Sequence, residues 1–373
     1  MKLNGLTIGI NVFMLMFFLT SCEDKAGRMT ITAIVETEPV AAGLGDDAAD
    51  DPAIWIHPEY PDSSTIIGTN KKSGLGVYDL NGRQKFFYPA GRINNVDVRY
   101  GFPLNDSVSI DIAAGGNRSN LTIEIFAIDS RSGALTDIAA REISIDTLGM
   151  TDAYGFCLYR NPATGQFFAY VNDTNGNVQQ WQLLPSGEGK ADAVLVRHWK
   201  LDSQVEGMVC DDANGSLFIG EEGRGIWRFP ACPDKPADGF FIPNSGSDNP
   251  DVAFDIEGLA LFITGSGNGY LVASSQGNNG YLVFKRNPNH EYLGIFRVAD
   301  GVIDGTEGTD GIEITSFPLG SMFPGGLMVI QDDVNTDGET VRPQNFKLVS
   351  WRTIADYFTP PLSSGNEGYN PRN

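Results

Sequence analysis

A six-bladed, all-β propeller is the fold this chain predicts, on three observations. A block of about fifty residues recurs, with its glycines at Gly155, Gly207, Gly258 and Gly311. Each glycine opens an apolar run, followed by a turn bearing Gly or Asn, a second run, a polar loop and a third run. Two looser copies lie upstream, beginning at Asp51-Pro52-Ala53-Ile54-Trp55 and Asn95-Val96-Asp97-Val98. Long repeats built from short runs and turns mark a propeller, because the strands of a sandwich do not recur as blocks. Six units predict six blades.

The third runs justify the units one by one. They are LGVYDL (75–80), TIEIFAI (122–128), VQQWQL (178–183), GIWRF (225–229), YLVFKR (281–286) and NFKLVSW (345–351). Each alternates or bunches apolar residues over four to seven positions, as a half-buried strand requires. The fifth unit shows its hairpins most openly, since GNGYLVASSQGNNGYLVFKR places β-prone runs between Gly/Asn turns. After residue 30 no stretch holds a helical period for three turns.

Composition narrows the function. With 373 residues, 41% of them apolar, the chain has enough material to bury the core of one large domain. Net charge is −21 with no basic block, which sets nucleic acid aside as a partner. At the N-terminus, Lys2 precedes an apolar stretch from Leu6 to Leu19, a length suited to a signal peptide rather than a membrane span. It runs into Leu19-Thr20-Ser21-Cys22, which resembles a bacterial lipobox with Cys22 as the lipidated residue. The expected organisation is a signal over residues 1–22, a tether over 23–34, the propeller over 35–360 and a tail over 361–373. The expected location is the periplasm or cell surface, on the outer membrane through a lipid anchor, as a monomer. Export permits a disulfide among Cys157, Cys210 and Cys232, but the sequence leaves the pairing open.

Polar residues gather at equivalent points of the units. Unit starts carry Asp47, Asp50 and Asp51, then Asn95 and Asp97, Tyr154, Glu206, Asp255 and Glu257, and Asp304 and Asp310. The loops before the third runs carry Lys71, Arg118, Thr174-Asn175, Glu221-Glu222, Gln276 and Asn335. In a propeller such loops share one end of the channel, so one face is expected to collect many carboxylates. Like charges at that density require a neutralising ion. An oxygen-only ligand set suits calcium, while His57, His198 and His290 are too dispersed for zinc or di-iron chemistry. Lys71 and Arg118, in equivalent loops of the first two units, suggest either anion recognition, with phosphate the natural candidate, or simple pairing of each with a neighbouring carboxylate.

These residues carry a family likeness. The run DAADDPAIWIHPEYPDSSTIIGTNKKSGLGVYDL (47–80) resembles the β-propeller phytases. So do INNVDVRYGFPL (93–104), GGNRSN (115–120), SQVEGMVCDD (203–212), IGEEGRGIWRF (219–229), DIEGL (255–259), ASSQGN (273–278), TDGI (309–312) and QNFK (344–347). The likeness covers about residues 35 to 357. It implies hydrolysis of phytate (myo-inositol hexakisphosphate), taken as its calcium complex, with several calcium ions as cofactor. It places Lys71, Arg118, Tyr154, Glu206, Glu222, Asp255, Glu257, Gln276 and Asp310 in a phosphate and calcium cleft. Asp51, the carbonyls of Pro52 and Val96, Asp304 and Asn335 match positions of calcium binding that is partly structural. Two departures stand out. Thr174-Asn175 replaces a charged pair in the third unit, and Val334 stands where an acid can occur.

With no Arg-His-Gly motif and no Cys-x5-Arg loop, direct attack by a metal-activated water is the expected route. Asp255, Glu257 and Asp310 are assigned to water and calcium, Glu206 and Glu222 to bridging calcium, and Lys71, Arg118, Tyr154 and Gln276 to the substrate. Another calcium-propeller hydrolase, a lactonase or phosphodiesterase, and a non-catalytic calcium-stabilised surface module are the other readings.

Overall fold

A computed structural model describes residues 30–265 and 267–372. The expected signal over residues 1–22, with Cys22, lies outside the described residues. Six antiparallel sheets stand around a central channel, each beginning with its innermost strand. The innermost strands are Ala49–Trp55, Ile93–Asn105, Phe156–Arg160, Val205–Asp211, Ile256–Ile263 and Ile312–Thr315, in blades 1 to 6. The third strands fall where the periodicity placed them, for example Thr122–Ile128 and Asn345–Ser350. One helix, Trp351–Tyr357, follows the last strand.

The ring is closed by the chain's own beginning. Val35–Glu36 pairs with Asn345–Ser350 and supplies the outermost strand of blade 6. Ile31 and Ala33, just before it, are buried in the same apolar cluster as Trp351 and Phe296. The apolar repeats are spent between blades. Blades 3 and 4, for instance, share a cluster of Tyr159, Phe168, Tyr170, Leu217 and Ile219. The tail crosses the far end of the channel. Ser363 donates to the Tyr270 hydroxyl, and Arg372 pairs with Asp111 while lying over the Tyr100 ring.

The glycines that set the repeat have a steric reason. A Cβ on Gly207 would sit 2.1 Å from the Glu257 carbonyl oxygen, and one on Gly258 would sit 2.6 Å from that of Asp310. Successive innermost strands therefore approach so closely at the channel mouth that no side chain fits there. The beat in the sequence is the footprint of this contact.

Candidate active site

The mouth is built by a bulge repeated in four blades. In blades 1, 2, 4 and 5 two residues of the innermost strand oppose one of its partner. The bulged pairs are Asp50-Asp51, Asn94-Asn95, Glu206-Gly207 and Glu257-Gly258. A bulge twists the strand and re-aims its side chains, so polar groups enter the channel where regular alternation would place apolar ones. Tyr154 and Asp310 stand just ahead of the innermost strands of blades 3 and 6. The loops leaving the second strands add Lys71, Arg118, Glu222 and Gln276 at the same end.

Carboxylates dominate this end. One oxygen each of Glu206, Glu222 and Glu257 lies within 4.8 Å of the others, and all three residues are buried. Unit charges at about this spacing repel by about 3–4 kcal/mol per pair even at an effective dielectric near 20. Burial pushes Glu206 and Glu222 up to about 7, with Asp310 adding to the effect on both. Burial, then the charges of Glu206 and Glu222, also raises Glu257 well above the usual carboxylate range. Glu206 and Glu257 thus face each other as two buried acids, with no cationic side chain among the described residues between them in reach of both. Oε2 of Glu257 is buried with no hydrogen-bond partner, so the donor set fits a hard, oxygen-seeking ion.

Two cations face the acids. Lys71 Nζ lies 2.6 Å from Asp47, 2.9 Å from Asp50 and 3.0 Å from Asp310. Burial works to lower its pKa, but Asp50 and Asp310 outweigh burial and raise it. Gln276 Nε2 donates to the other oxygen of Asp310 at 2.8 Å, so that carboxylate is held on both sides. Arg118 makes a two-pronged contact with Asp152 (3.0 and 2.7 Å) and donates to Asn94 Oδ1 at 3.1 Å. Those bonds leave two of its five N–H donors for another ligand. Its guanidinium centre lies 5.2 Å from the Tyr154 ring centre. Tyr154, raised first by burial and then by Glu206 and Glu257, keeps its phenolic proton.

Every residue expected in the cleft is placed at the mouth of the channel, Asp255 through its carbonyl, which accepts from the Gln276 amide at 2.9 Å. Asp51 and Val96 also meet, the Val96 amide donating to Asp51 Oδ2 at 3.0 Å. Asp304 and Asn335 form a separate group in blade 6, where both accept from the buried Lys347 Nζ alongside Glu36. Thr174-Asn175 brings no charge, and Asn175 is tied to Thr151 Oγ1 at 2.7 Å. Val334 is exposed.

Three residues were missed by the sequence reading. Asn94, fully buried, donates to Glu206 at 2.7 Å and accepts from Arg118, joining the acid cluster to the cation. Asp152 orients Arg118, and Gln204 donates to Glu222 at 2.7 Å. Asn94 was within reach, since it aligns with Asp50 in the repeat. Asp152 and Gln204 carry no signal in a single sequence.

Comparison with known proteins follows the geometry. The family model described as Phytase matches residues 14–373. The 3-phytase of Bacillus subtilis (strain 168) is 46% identical over 330 residues, 88% of this chain and 85% of that protein. Among solved structures, BBS1N in complex with ARL6DN, soaked with mercury, matches 80% of this chain and 76% of its own at 10% identity, TM-score 0.44. The Cps50 (Swd1) β-propeller domain of Myceliophteria thermophila matches 81% and 83% at 11% identity, TM-score 0.42.

Proposed function

The chain belongs to the phytase family and hydrolyses phytate, and from that premise we propose that it does so with calcium held in the acidic mouth of the channel. The observation that carries this reading is the buried trio Glu206, Glu222 and Glu257, with an unpartnered Glu257 oxygen, beside Lys71 and Arg118. Bound calcium would neutralise phosphate oxygens and lower the cost of forming hydroxide from a nearby water.

The chain's own residues do the remainder. Lys71 and the two free donors of Arg118 bind phosphoryl oxygens, and Asp152 and Asn94 keep the Arg118 fork facing the cleft. Tyr154, a neutral phenol, donates a hydrogen bond. Asp255, Glu257 and Asp310 orient the attacking water, and Glu257 has the oxygen with no competing partner. Glu206 and Glu222, steadied by Asn94 and Gln204, complete the ligand set. Phosphoryl transfer asks little beyond positioning and charge stabilisation, which this constellation supplies. Asp51, with the Pro52 and Val96 carbonyls, and the Asp304–Asn335 group are proposed as structural calcium positions. At the second of these, Lys347 already engages both side chains.

Phosphate release from sodium phytate, with calcium titrated against a chelator, tests this reading. Release that rises with calcium and stops on chelation is the expected result. Equal release in chelator contradicts it. We further propose that the protein is an exported monomer, anchored to the outer membrane by lipid on Cys22. Metabolic labelling with palmitate, lost in Cys22→Ala, checks the anchor.

A further inference from the structure

We propose that Cys157 and Cys210 form a disulfide that staples blade 3 to blade 4 beneath the active site. The two residues sit on neighbouring innermost strands, Phe156–Arg160 and Val205–Asp211. Their Sγ atoms are 3.7 Å apart, in van der Waals contact, and both side chains are buried in the apolar seam between the blades. Cys232 is excluded by position: it is partly exposed, and its polar neighbour is Asp234. Geometry thus resolves which of three cysteines is left over.

Chemistry says when the bond forms. Burial pushes both thiols up in the closed fold, so neither ionises readily once the blades have docked. Cross-linking therefore belongs to folding, with a small-molecule or protein disulfide as oxidant. One thiolate attacks that disulfide and releases a thiol, and the second displaces the other half. Two protons leave, two electrons pass to the oxidant, and one S–S bond forms between the blades.

The position matters for the site above. Tyr154 lies three residues before Cys157, and Glu206 lies four before Cys210. A Cβ on Gly155 would be 2.0 Å from the Glu206 carbonyl oxygen, so the two strands are already tightly apposed at this seam. The bond encloses a loop spanning 53 residues. A loop of that length restricts the unfolded chain strongly.

The test refolds the purified chain from denaturant in a glutathione buffer rich in the disulfide form. Remaining thiols are then alkylated and the protein is digested without reductant. The expected product is one linked peptide pair containing Cys157 and Cys210, lighter by two hydrogens than the separate peptides, with Cys232 alkylated. Reduction is expected to lower the melting temperature by roughly 5 °C. It is expected to leave the initial rate on phytate unchanged. The double variant Cys157→Ala/Cys210→Ala is expected to melt at the same temperature with and without reductant. Alkylation of all three cysteines overturns the proposal, as does a link through Cys232 or an undiminished reductant response in the double variant.

Discussion

The two ends of the channel treat buried charge in opposite ways. At the far end three cations are matched with acids. Arg99 lies between Asp97 and Asp212 (2.8 and 3.0 Å), Arg372 pairs with Asp111, and Arg286 grips Asp211 with two bonds of 2.6 Å. Burial still raises Asp212 to about 6 against the pull of Arg99, and raises Glu313 to about 8 with Asp97 adding to the effect. At the mouth, Lys71 alone faces Asp47, Asp50 and Asp310, while Glu206, Glu222 and Glu257 crowd one another. Burial is common to both ends, so burial does not make a site. Charge that the fold leaves unbalanced does. The mouth holds acids that only a cation can satisfy.

Substitutions at each end separate the two. Glu257→Ala is expected to have the largest effect, a fall of about a thousandfold in turnover, at the upper end for a group acting on transition-state charge. Its circular dichroism should be unchanged, and its metal-free melting temperature should not fall, because a repelled carboxylate has been removed. Near-normal turnover would remove Glu257 from the chemistry. At the other end, Arg286→Met strands a fully buried carboxylate and is expected to cost about 3–5 kcal/mol of stability. Turnover per folded molecule should be preserved. Denaturant titration alongside an active-fraction assay would show whether that end is purely structural.

A smaller effect is expected where the two kinds of bonding meet. Asp152→Asn keeps the shape but loses the charge that steers Arg118, a loss of roughly 1.5–3 kcal/mol, or about tenfold to a hundredfold in kcat/KM. Most of that change should fall on KM, as steady-state kinetics on phytate would reveal. A substrate contact that does not involve Arg118 would leave both parameters unmoved.

The smallest effect is graded with pH. Glu206 and Glu222 have folded-state values near 7, above the unfolded value near 4.5. Between those limits the folded chain binds more protons than the unfolded one. Metal-free stability should therefore fall as pH rises from about 5 to about 7. A divalent cation that replaces the protons should flatten or reverse that slope. Thermal melts at several pH values, with chelator and with calcium, measure this, and an unchanged slope would show that the cation binds elsewhere.

Much of the architecture was legible in the sequence because the repeat records a backbone contact. Gly155, Gly207, Gly258 and Gly311 are fixed by the approach of neighbouring strands, and that constraint recurs in blades 3 to 6. The ring closure was hidden, since Val35–Glu36 is too short to register as a strand and pairs with residues some three hundred positions away. In the site, Lys71, Glu206, Glu257 and Asp310 were readable from equivalent positions. Asp152 and Gln204 act only through Arg118 and Glu222, and such support depends on packing that one sequence does not record. The bulges that aim Glu206 and Glu257 were likewise invisible, although Glu206-Gly207 and Glu257-Gly258 mark where they fall.

Calcium binding to the wild-type chain and to Glu257→Gln, followed by titration calorimetry at pH 7.5, tests the cation-holding mouth most directly. Loss of at least one calcium in the variant, in step with loss of phosphate release, is the expected result. Identical calcium stoichiometry and affinity in the two proteins would contradict it.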